Sequence, residues 1–330
     1  MTEQSSPTPV LIAVDWGSSN FRAFLLDKRG KILSEVSAPQ GMLCLKKDEF
    51  EAALLAHIQP WVTDFSVPVL MAGMVGSAQG WVDAGYIDCP ADAKQAAMKL
   101  CHVDNESKLS IRIVPGVKCQ TANLQPDVMR GEEVQVFGAV SLIEHELGLL
   151  NNAQLDKLVF CLPGTHSKWI KMAKNDQGQP IVESLSTQMT GEMYNIVVEN
   201  SILGKGVDKQ ATDVDMDSFL QGVHTSQREG GLLHHLFSAR TLRLEQRLDD
   251  KHVCSYISGL LIGAELCSVL AASSLEHIYL IGSSTLNTLY AQALKELGLL
   301  STPVSSEKAS ALGMVMVAEQ ANLIKSKEVH

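Results

Sequence analysis

The sequence predicts an α/β protein of two domains, each built on a similar group of strands. Its 330 residues exceed the usual size of one domain and suffice for about two. Short apolar runs typical of strands alternate with longer segments of helical periodicity. A unit of strand, small-residue turn and strand occurs twice, separated by nearly half the chain. We therefore expect domains at residues 1–155 and 156–330.

The first copy of this unit lies near the N-terminus, where apolar runs at 10–14 and 21–26 predict two strands. The turn between them is small and rich in hydroxyls, so backbone and side-chain donors could approach an anion. The carboxylate that ends the first strand could hold Mg²⁺ through water molecules. Ordinary turn chemistry explains the same residues equally well. The residues of this candidate phosphate turn are Asp15, Gly17, Ser18 and Ser19.

The second copy begins with the apolar run 158–162 and turns at 163–167. Gly164 and Thr165 align with the glycine and the first serine of the earlier turn. Leu162 occupies the position that corresponds to Asp15 in the first copy. Two phosphate-facing turns with one metal-directed carboxylate are what a single Mg–nucleotide bound by two domains needs.

A charged cluster precedes a predicted helix in the middle of the chain. Helical spacing of apolar residues begins at Glu132, and Glu133 follows it in the first turn. The helix dipole favours acidic residues there, so their position alone requires no catalytic role. Arg130 comes just before them and could present a guanidinium and a carboxylate to one site.

A glycine-rich loop follows the apolar run 68–72. Ligands in α/β folds usually meet loops at strand ends, although a turn-rich surface loop is the simpler alternative. The candidate ligand-contacting residues of this loop are Ser77, Gln79 and Trp81.

Several polar positions of the second half are candidates of weaker signal. Glu192 lies at a predicted helix start and could form the polar rim of a pocket. Gly282 and Ser283 separate a buried-type strand from a helix, an arrangement compatible with nucleotide binding. His166 and Lys168 follow the second turn and could face phosphate or solvent. The acidic segment 208–227 is expected at the surface.

Composition narrows the function classes. The formal charge of −10 gives no support for nucleic-acid or membrane binding. The first eight residues lack the features of a signal peptide, and the longest apolar helical pattern is interrupted by Glu265. The seven cysteines form no CxxC pair, so we expect a cytoplasmic protein without disulfides or zinc. No Walker or GxGxxG motif occurs.

The order of these motifs resembles that of the actin-like sugar kinases. Segment 15–19 looks like their first phosphate motif, 162–166 like the second, 280–284 like the adenosine motif and 311–314 like the final connecting helix. The resemblance implies a two-domain actin-like ATPase fold, a duplicated ribonuclease H-like fold with a central cleft.

The match is closer still to the 2-dehydro-3-deoxygalactonokinase family, through segments 14–19, 73–81, 128–133 and 162–169. This resemblance implies ATP-dependent phosphorylation of the 6-hydroxyl of 2-dehydro-3-deoxy-D-galactonate in galactonate breakdown, with ATP and Mg²⁺ as cofactors. The aspartate that usually acts as base in sugar kinases is replaced by Glu132, with Glu133 as a competitor. Only one glycine, Gly282, marks the adenosine loop.

The resemblance suggests a role for each candidate. Asp15 anchors Mg²⁺, the two turns hold phosphates, and Arg22 or Lys168 neutralises charge. Glu132 or Glu133 serves as the base. Arg130 is expected to clamp the carboxylate of the sugar acid. The alternatives are a kinase of another acid sugar or polyol and a nucleotide-regulated ATPase that is not a kinase; a homodimer is a further guess.

Overall fold

The computed structural model describes residues 8–62, 67–120, 124–145, 158–208, 214–271 and 275–325. The strands are β1 Pro9–Trp16, β2 Phe21–Asp27, β3 Ile32–Ala38, β4 Val69–Ala72, β5 Tyr86–Asp88, β6 Cys101–His102, β7 Ile111–Ile113, β8 Gly116–Gln120, β9 Pro126–Met129, β10 Val159–Leu162, β11 Ser167–Lys174, β12 Pro180–Gln188, β13 His277–Leu280 and β14 Leu300–Pro303. The helices are α1 Phe50–Ile58, α2 Ala93–Met98, α3 Glu132–His145, α4 Thr190–Asn200, α5 Met216–Ser226, α6 Gly231–Leu244, α7 Val253–Ala271, α8 Ser284–Glu296 and α9 Ser306–Gln320.

The chain forms two compact units. Unit 1 contains Met1–Lys157, Ile170–Ser186 and Val304–His330, and unit 2 contains Leu158–Trp169 and Thr187–Pro303. The expected domain boundary between residues 155 and 156 falls outside the described residues. The chain passes between the units four times, at residues 157/158, 169/170, 186/187 and 303/304. After the last of these, α9 packs in unit 1 against α3.

Unit 1 contains a sheet whose described strands run in the order β3-β2-β1-β4-β7-β6. The predicted meander is confirmed, since β2 pairs antiparallel with both β1 and β3. β4 pairs parallel with β1, so the carboxyl ends of these two strands lie at the same edge of the sheet. Trp16, Phe21 and Phe50 are fully buried and pack edge to face beneath this edge.

The second predicted copy is also confirmed. The later strands run in the order β12-β11-β10-β13-β14, which repeats the arrangement of a three-strand group beside parallel strands. β10 pairs parallel with β13, as β1 does with β4. The turn after β10 therefore occupies the place in this sheet that the turn after β1 occupies in the first.

A small sheet in the order β5-β8-β9 was not predicted. Arg130 directly follows β9, the last strand of this sheet. Asp88 pairs with Lys118 across β5 and β8, and the next residues, Cys89 and Cys119, form a disulfide. The expectation that the protein has no disulfide is therefore wrong for this pair, because sequence spacing could not show that two distant cysteines adjoin on neighbouring strands.

The expectation that segment 208–227 lies at the surface is wrong for its helical part. Residues 209–213 lie outside the described residues, but α5 buries Phe219 and Val223 against α7. Gly222 permits this approach, because a Cβ there would clash with the backbone of Tyr256. Ser218 and Thr225 of α5 are buried as well, and Thr225 accepts a hydrogen bond from the hydroxyl of Tyr256 on α7.

Helix α7 is the central helix of unit 2. Among the described residues, only the helical stretch Asp250–Ala271 has the length and apolar composition of a membrane span. Of its most apolar window 61 % is buried inside the protein, which is the behaviour of a core helix.

Candidate active site and nucleotide pocket

Three segments of unit 1 that the sequence analysis singled out separately meet at Gly73, which follows β4. A Cβ on Gly73 would lie 2.8 Å from the carbonyl oxygen of Trp16 and 3.3 Å from Oδ1 of Asp15. A Cβ on Gly131, just before α3, would lie 3.1 Å from the Cα of Gly73. Both glycines have positive φ, of 94° and 104°, which other residues rarely adopt. The end of β1, the loop after β4 and the start of α3 therefore form one site.

Asp15 forms an ion pair with Arg22. The two residues are register partners on β1 and β2, and Nη2 of Arg22 donates to Oδ2 of Asp15 over 2.6 Å. The Arg22 side chain is 33 % exposed and the Asp15 side chain is 21 % exposed, so the pair remains accessible. Oδ1 of Asp15 faces Gly73. One half-buried carboxylate oxygen beside a glycine suits a hydrated cation.

The first candidate phosphate turn is held by the segment that follows β3. The carbonyl groups of Gly17, Ser18 and Ser19 accept hydrogen bonds from the backbone of residues 42, 43 and 41, respectively. These three carbonyl oxygens, which would repel an anion, thus accept hydrogen bonds from the protein's own backbone. The side chain of Ser19 is exposed and that of Ser18 is half-buried.

Arg130 is buried, with 8 % of its surface exposed. Its guanidinium lies 4.3 Å from the ring centroid of Tyr86 and donates through Nη2 to the carbonyl oxygen of Gly85. Nε and Nη1 are buried without a hydrogen-bond partner among the described residues. Nη1 faces Gly76, whose Cβ, if present, would lie 3.1 Å away. Buried donors without acceptors are costly, so a ligand or water is expected to complete them.

The two glutamates at the start of α3 differ in environment. Glu132 is half-buried, and its Oε2 accepts from the backbone N–H of Arg130 over 2.9 Å. Glu133 is fully buried, its Oε2 accepts from the N–H of Gly131, and its Oε1 has no partner in the described part of the chain. Burial, followed by the charge of Glu132, raises the pKa of Glu133 to about 8.

The glycine-rich loop after β4 places its three candidate residues in different surroundings. Trp81 stacks on Phe50 at a centroid distance of 5.9 Å and packs against the unit 1 core. Ser77 is half-buried, with its hydroxyl 3.7 Å from the sulfur of Met42, whereas Gln79 is exposed. Gly80 allows the tight turn, because a Cβ there would clash with the carbonyl oxygen of Val75.

Unit 2 contains a cavity of about 550 Å³, within the usual size range for small-molecule sites. The turn after β10 and the helices α4, α7 and α8 form its walls. Polar residues alternate with aliphatic ones, as in sites that combine an apolar ring with hydrogen-bonding groups. Its lining includes Tyr194, Asn195, Lys251, Ser258, Leu286 and Leu289.

The second candidate phosphate turn, at residues 163–166, borders this cavity. Gly164 and Thr165 line it together with Gly191 at the start of α4. A Cβ on Gly191 would clash with Gly164 and Thr165, and the N–H of Glu192 donates to the carbonyl oxygen of Thr165 over 2.9 Å. A Cβ on Gly164 would instead have no protein atom closer than 4.0 Å. The turn therefore rests on α4 and leaves space on its other side.

His166 and Glu192 are brought together in unit 2, with Nε2 and Oε2 separated by 2.5 Å. Both side chains are partly exposed. His166 was expected to face phosphate or solvent, and Glu192 was expected at the polar rim of a pocket. Their contact connects the phosphate turn with the first turn of α4.

Three further candidates lie nearby in unit 2. Lys168 is buried and its ammonium group donates to Oγ1 of Thr187 over 2.8 Å. Ser283 caps α8, and the carbonyl oxygen of Gly282 accepts from the Asn287 side chain. A Cβ on Gly282 would also come 3.3 Å from Pro163, so the adenosine-type loop adjoins the second phosphate turn.

Beneath the cavity, Glu265 of α7 is only 4 % exposed. Its Oε1 accepts from the indole N–H of Trp169 over 2.6 Å, and its Oε2 accepts from the hydroxyls of Tyr290, over 2.7 Å, and Thr190. The hydroxyls of Ser167 and Tyr290 are 2.8 Å apart. Burial raises the pKa of Glu265, although its hydrogen-bond donors oppose the shift.

Repeated sheets with two small-residue turns, one of them beside a carboxylate, define the class as an actin-like ATPase fold of the sugar-kinase type. The chain belongs to the 2-keto-3-deoxy-galactonokinase family, whose model matches residues 15–317.

Individual relatives support this membership. The chain is 34 % identical over 309 residues to a probable 2-dehydro-3-deoxygalactonokinase of Rhizobium meliloti strain 1021, covering 93 % of this chain and 95 % of the relative. It is 32 % identical over 308 residues to the 2-dehydro-3-deoxygalactonokinase of Escherichia coli K12, covering 93 % and 97 %. A crystal structure of a candidate 2-dehydro-3-deoxygalactonokinase from Sinorhizobium meliloti superposes with a TM-score of 0.82 at 32 % identity, over 94 % of this chain and 98 % of that one.

Sequence reasoning missed Tyr86 and Glu265. Tyr86 lies on a three-residue strand without strong periodicity, so nothing connected it with Arg130. Glu265 was noticed only as an interruption of an apolar pattern. A single carboxylate in the middle of an otherwise apolar helix is itself a signal, because such a group requires buried donors.

Proposed function

We propose that the protein transfers the terminal phosphoryl group of ATP to the 6-hydroxyl of 2-dehydro-3-deoxy-D-galactonate, as the names of its relatives suggest for those proteins. The observation that carries the proposal is the meeting of Asp15, Gly73 and the start of α3 in unit 1. A metal-directed carboxylate and a candidate base thereby belong to one site, as phosphoryl transfer to a hydroxyl requires.

The nucleotide takes the unit 2 cavity in this proposal. Gly164 and Thr165 serve its phosphates, because the open side of Gly164 leaves the backbone accessible. Gly282 and Ser283 contribute from the loop before α8. The alternation of hydroxyl and aliphatic residues in the wall suits a ribose and a planar base. Gly17, Ser18 and Ser19 serve phosphate from unit 1.

Asp15 is the residue proposed to hold Mg²⁺. The described part of the chain contains no cluster of three or more histidine, cysteine, aspartate or glutamate side chains suited to a metal. One carboxylate fits Mg²⁺, which usually keeps several water molecules and binds substrate phosphates. When bound, the ion neutralises charge on the phosphoryl oxygens. Arg22 orients the carboxylate and supplies a second positive charge, a role less suited to Lys168, which is buried against Thr187.

Glu132 is the proposed base. A base must reach the substrate hydroxyl and must be ionised at working pH. Glu132 is half-buried, whereas Glu133 is inaccessible and has a pKa of about 8. Glu133 instead holds the turn that positions Glu132, through its bond to Gly131. General base catalysis by such a group is worth about 10²- to 10⁴-fold in rate.

Arg130 is the proposed partner of the sugar-acid carboxylate. Its buried donors without an acceptor are the observation that supports this role, since a guanidinium forks onto a carboxylate. Ser77 and Gln79 are proposed to contact the hydroxylated chain. Trp81 supports the loop from the core side, and Glu192 acts as a polar rim in unit 2.

The test is a coupled assay of the full chain with Mg–ATP and a panel of keto-deoxy acids, aldonates and pentuloses. We expect 2-dehydro-3-deoxy-D-galactonate to be the preferred acceptor. Another preferred acid sugar or polyol would correct the substrate, and ATP hydrolysis without transfer would favour a nucleotide-regulated ATPase. The proposal takes the enzyme to be cytoplasmic; a homodimer stays a prediction.

A matched pair of variants tests the metal site. Asp15→Asn should reduce kcat by at least about 10²-fold, since it removes the charge that holds Mg²⁺. Asp88→Asn, which alters an exposed aspartate paired with Lys118, should leave turnover unchanged. Normal Mg–ATP-dependent turnover in Asp15→Asn would contradict the arrangement.

A further inference from the structure

We propose that Glu265 is a positioning residue that fixes the shape of the nucleotide cavity in unit 2. The inference rests on the proposed function for the identity of the ligand, but its structural basis is separate. Glu265 does not line the cavity. It acts through neighbours that do, and it therefore sets nucleotide affinity without touching the nucleotide.

The first step is the distribution of its partners. Thr190 and Tyr290, which both donate to Oε2, belong to the cavity wall. Thr190 begins α4 and directly precedes Gly191, which packs against the second phosphate turn. Tyr290 lies on α8, the helix that follows the adenosine-type loop.

The second step concerns the strand after the phosphate turn. Trp169 donates to Oε1 of Glu265, and Ser167 bonds to the hydroxyl of Tyr290. Both residues lie on β11, whose first residue directly follows the turn 163–166. One carboxylate on α7 thus connects α4 and α8, which border the cavity, with β11, which directly follows the turn at its edge.

The third step is chemical. Trp169, Thr190 and Tyr290 each donate an N–H or O–H to Glu265, so its carboxylate accepts on both oxygens. A carboxylate accepts on both oxygens, whereas a carboxamide presents two donors on one side. Glu265→Gln keeps the volume, but if its amide oxygen still faces the indole N–H of Trp169, its NH2 group replaces the oxygen that accepts from Thr190 and Tyr290. Both hydroxyls must then turn their protons away and accept from the amide, so two hydrogen bonds to a charged acceptor are lost. In a buried site this rearrangement shifts the two partners, which displaces the cavity wall.

The experiment compares Glu265→Gln with a control on the same helix. Tyr256→Phe removes buried hydrogen bonds of α7 to Ser238 and Thr225, and Tyr256 does not line the cavity. Binding of ADP is measured by calorimetry on the full chain, so the readout does not require turnover. Thermal stability, the KM for ATP and the KM for the sugar acid are measured alongside.

We expect Glu265→Gln to weaken ADP binding and raise the KM for ATP by at least about tenfold, with the KM for the sugar acid within twofold. Tyr256→Phe should leave ADP affinity unchanged even if it lowers the melting temperature. Equal loss of ADP affinity in both variants at equal loss of stability would overturn the proposal. So would unchanged ADP affinity in Glu265→Gln.

Tyr290→Phe keeps the experiment decisive if Glu265→Gln does not fold. It removes one donor to the carboxylate and retains the ring, and ADP affinity should fall several-fold; unchanged affinity would contradict the proposal.

Indole fluorescence gives an independent signature. Glu265→Gln should change the emission of Trp169, and this change should be absent when Trp169→Phe is also present. A wild-type chain that binds ADP but phosphorylates no acceptor would refute the proposed function while leaving this inference testable.

Discussion

Gly131 packs directly against Gly73, so that a Cβ on Gly131 would lie 3.1 Å from the Cα of its neighbour. This contact joins the start of α3 to the loop after β4. It sets where Glu132 stands relative to Asp15, since both segments bear on the same glycine. The proposed base and the proposed metal ligand are therefore spaced by backbone packing.

The first prediction follows from this contact. Gly131→Ala combines left-handed backbone strain with a close approach, so it should cost about 1–3 kcal/mol of unfolding free energy. It should also lower kcat, because α3 must shift. Denaturant unfolding and steady-state kinetics measure the two effects.

Gly178→Ala is the matched control. Gly178 has a positive φ of 77° but no atom within 4 Å of an added Cβ. This variant should lose stability through strain alone, by about 1 kcal/mol, with kcat unchanged. Equal loss of kcat in both variants would show that the Gly131 contact does not position the site.

The second prediction concerns the pH dependence of stability. Burial, followed by the charge of Glu132, raises the pKa of Glu133 to about 8 in the folded protein, from an ordinary value of 4.5. The folded state therefore holds a proton that the unfolded state has released across this range, and stability falls as pH rises from about 4.5 to about 8. The contribution approaches about 1.4 kcal/mol per pH unit.

Glu133→Gln removes this titration and should flatten the corresponding part of the stability profile. Urea unfolding of both proteins between pH 5 and 8 measures the difference. Parallel profiles would mean that Glu133 is ionised in the folded protein. A large loss of kcat in Glu133→Gln together with a normal kcat in Glu132→Gln would identify Glu133, and not Glu132, as the base.

The third prediction separates two glycines of the proposed nucleotide cavity in unit 2. Gly164→Ala places a methyl group where no protein atom lies closer than 4.0 Å, so the melting temperature should hardly change. Because Gly164 lines the cavity, ADP affinity should fall by about tenfold. Calorimetry and thermal unfolding test both statements.

Gly191→Ala provides the contrast, since its methyl group would clash with Gly164 and Thr165. We expect it to lower stability as well as ADP affinity. If Gly164→Ala bound ADP normally, the phosphates would not approach the backbone at that turn.

The sequence predicts some of the elements behind these predictions better than others. The meander around Asp15 was predictable because alternating apolar runs and small-residue turns are local signals. Helix α5 was not, since Phe219 and Val223 are scattered among acidic residues and their burial depends on α7. Propensity cannot show which polar helix finds a partner.

The candidate site was predictable as separate pieces. Asp15, Gly73 and Glu132 each stood at a strand or helix end. The parallel pairing of β1 and β4 brings the first two together, and the packing of Gly131 on Gly73 adds the start of α3. The surroundings of Arg130 and Trp81 depend on residues far along the chain, Tyr86 and Phe50. Burial of Lys168 likewise could not be inferred from its position after a turn.

The fourth prediction concerns the disulfide. Cys89 and Cys119 are bonded, while Cys44, Cys101, Cys161, Cys254 and Cys267 are free. Protein denatured without reductant should therefore show five titratable thiols, and the full seven cysteines should react after reduction. The bond closes a loop of 30 residues, which corresponds to about 3–4 kcal/mol of stability.

Peptide mapping after alkylation identifies the pair, and Cys119→Ser provides the control. Seven reactive thiols without reductant would show that the two cysteines adjoin without bonding, as expected of protein kept in a reducing compartment.

The packing of α3 against α9 has a consequence for synthesis. Gly138 and Gly313 allow the two helices to approach, because a Cβ on either would clash with the other helix. Yet α3 begins at residue 132 and α9 ends at residue 320. A ribosome thus releases the helix that starts with the proposed base well before its partner. The face of α3 that packs against α9 therefore stays uncovered until the last helix of the chain has been made.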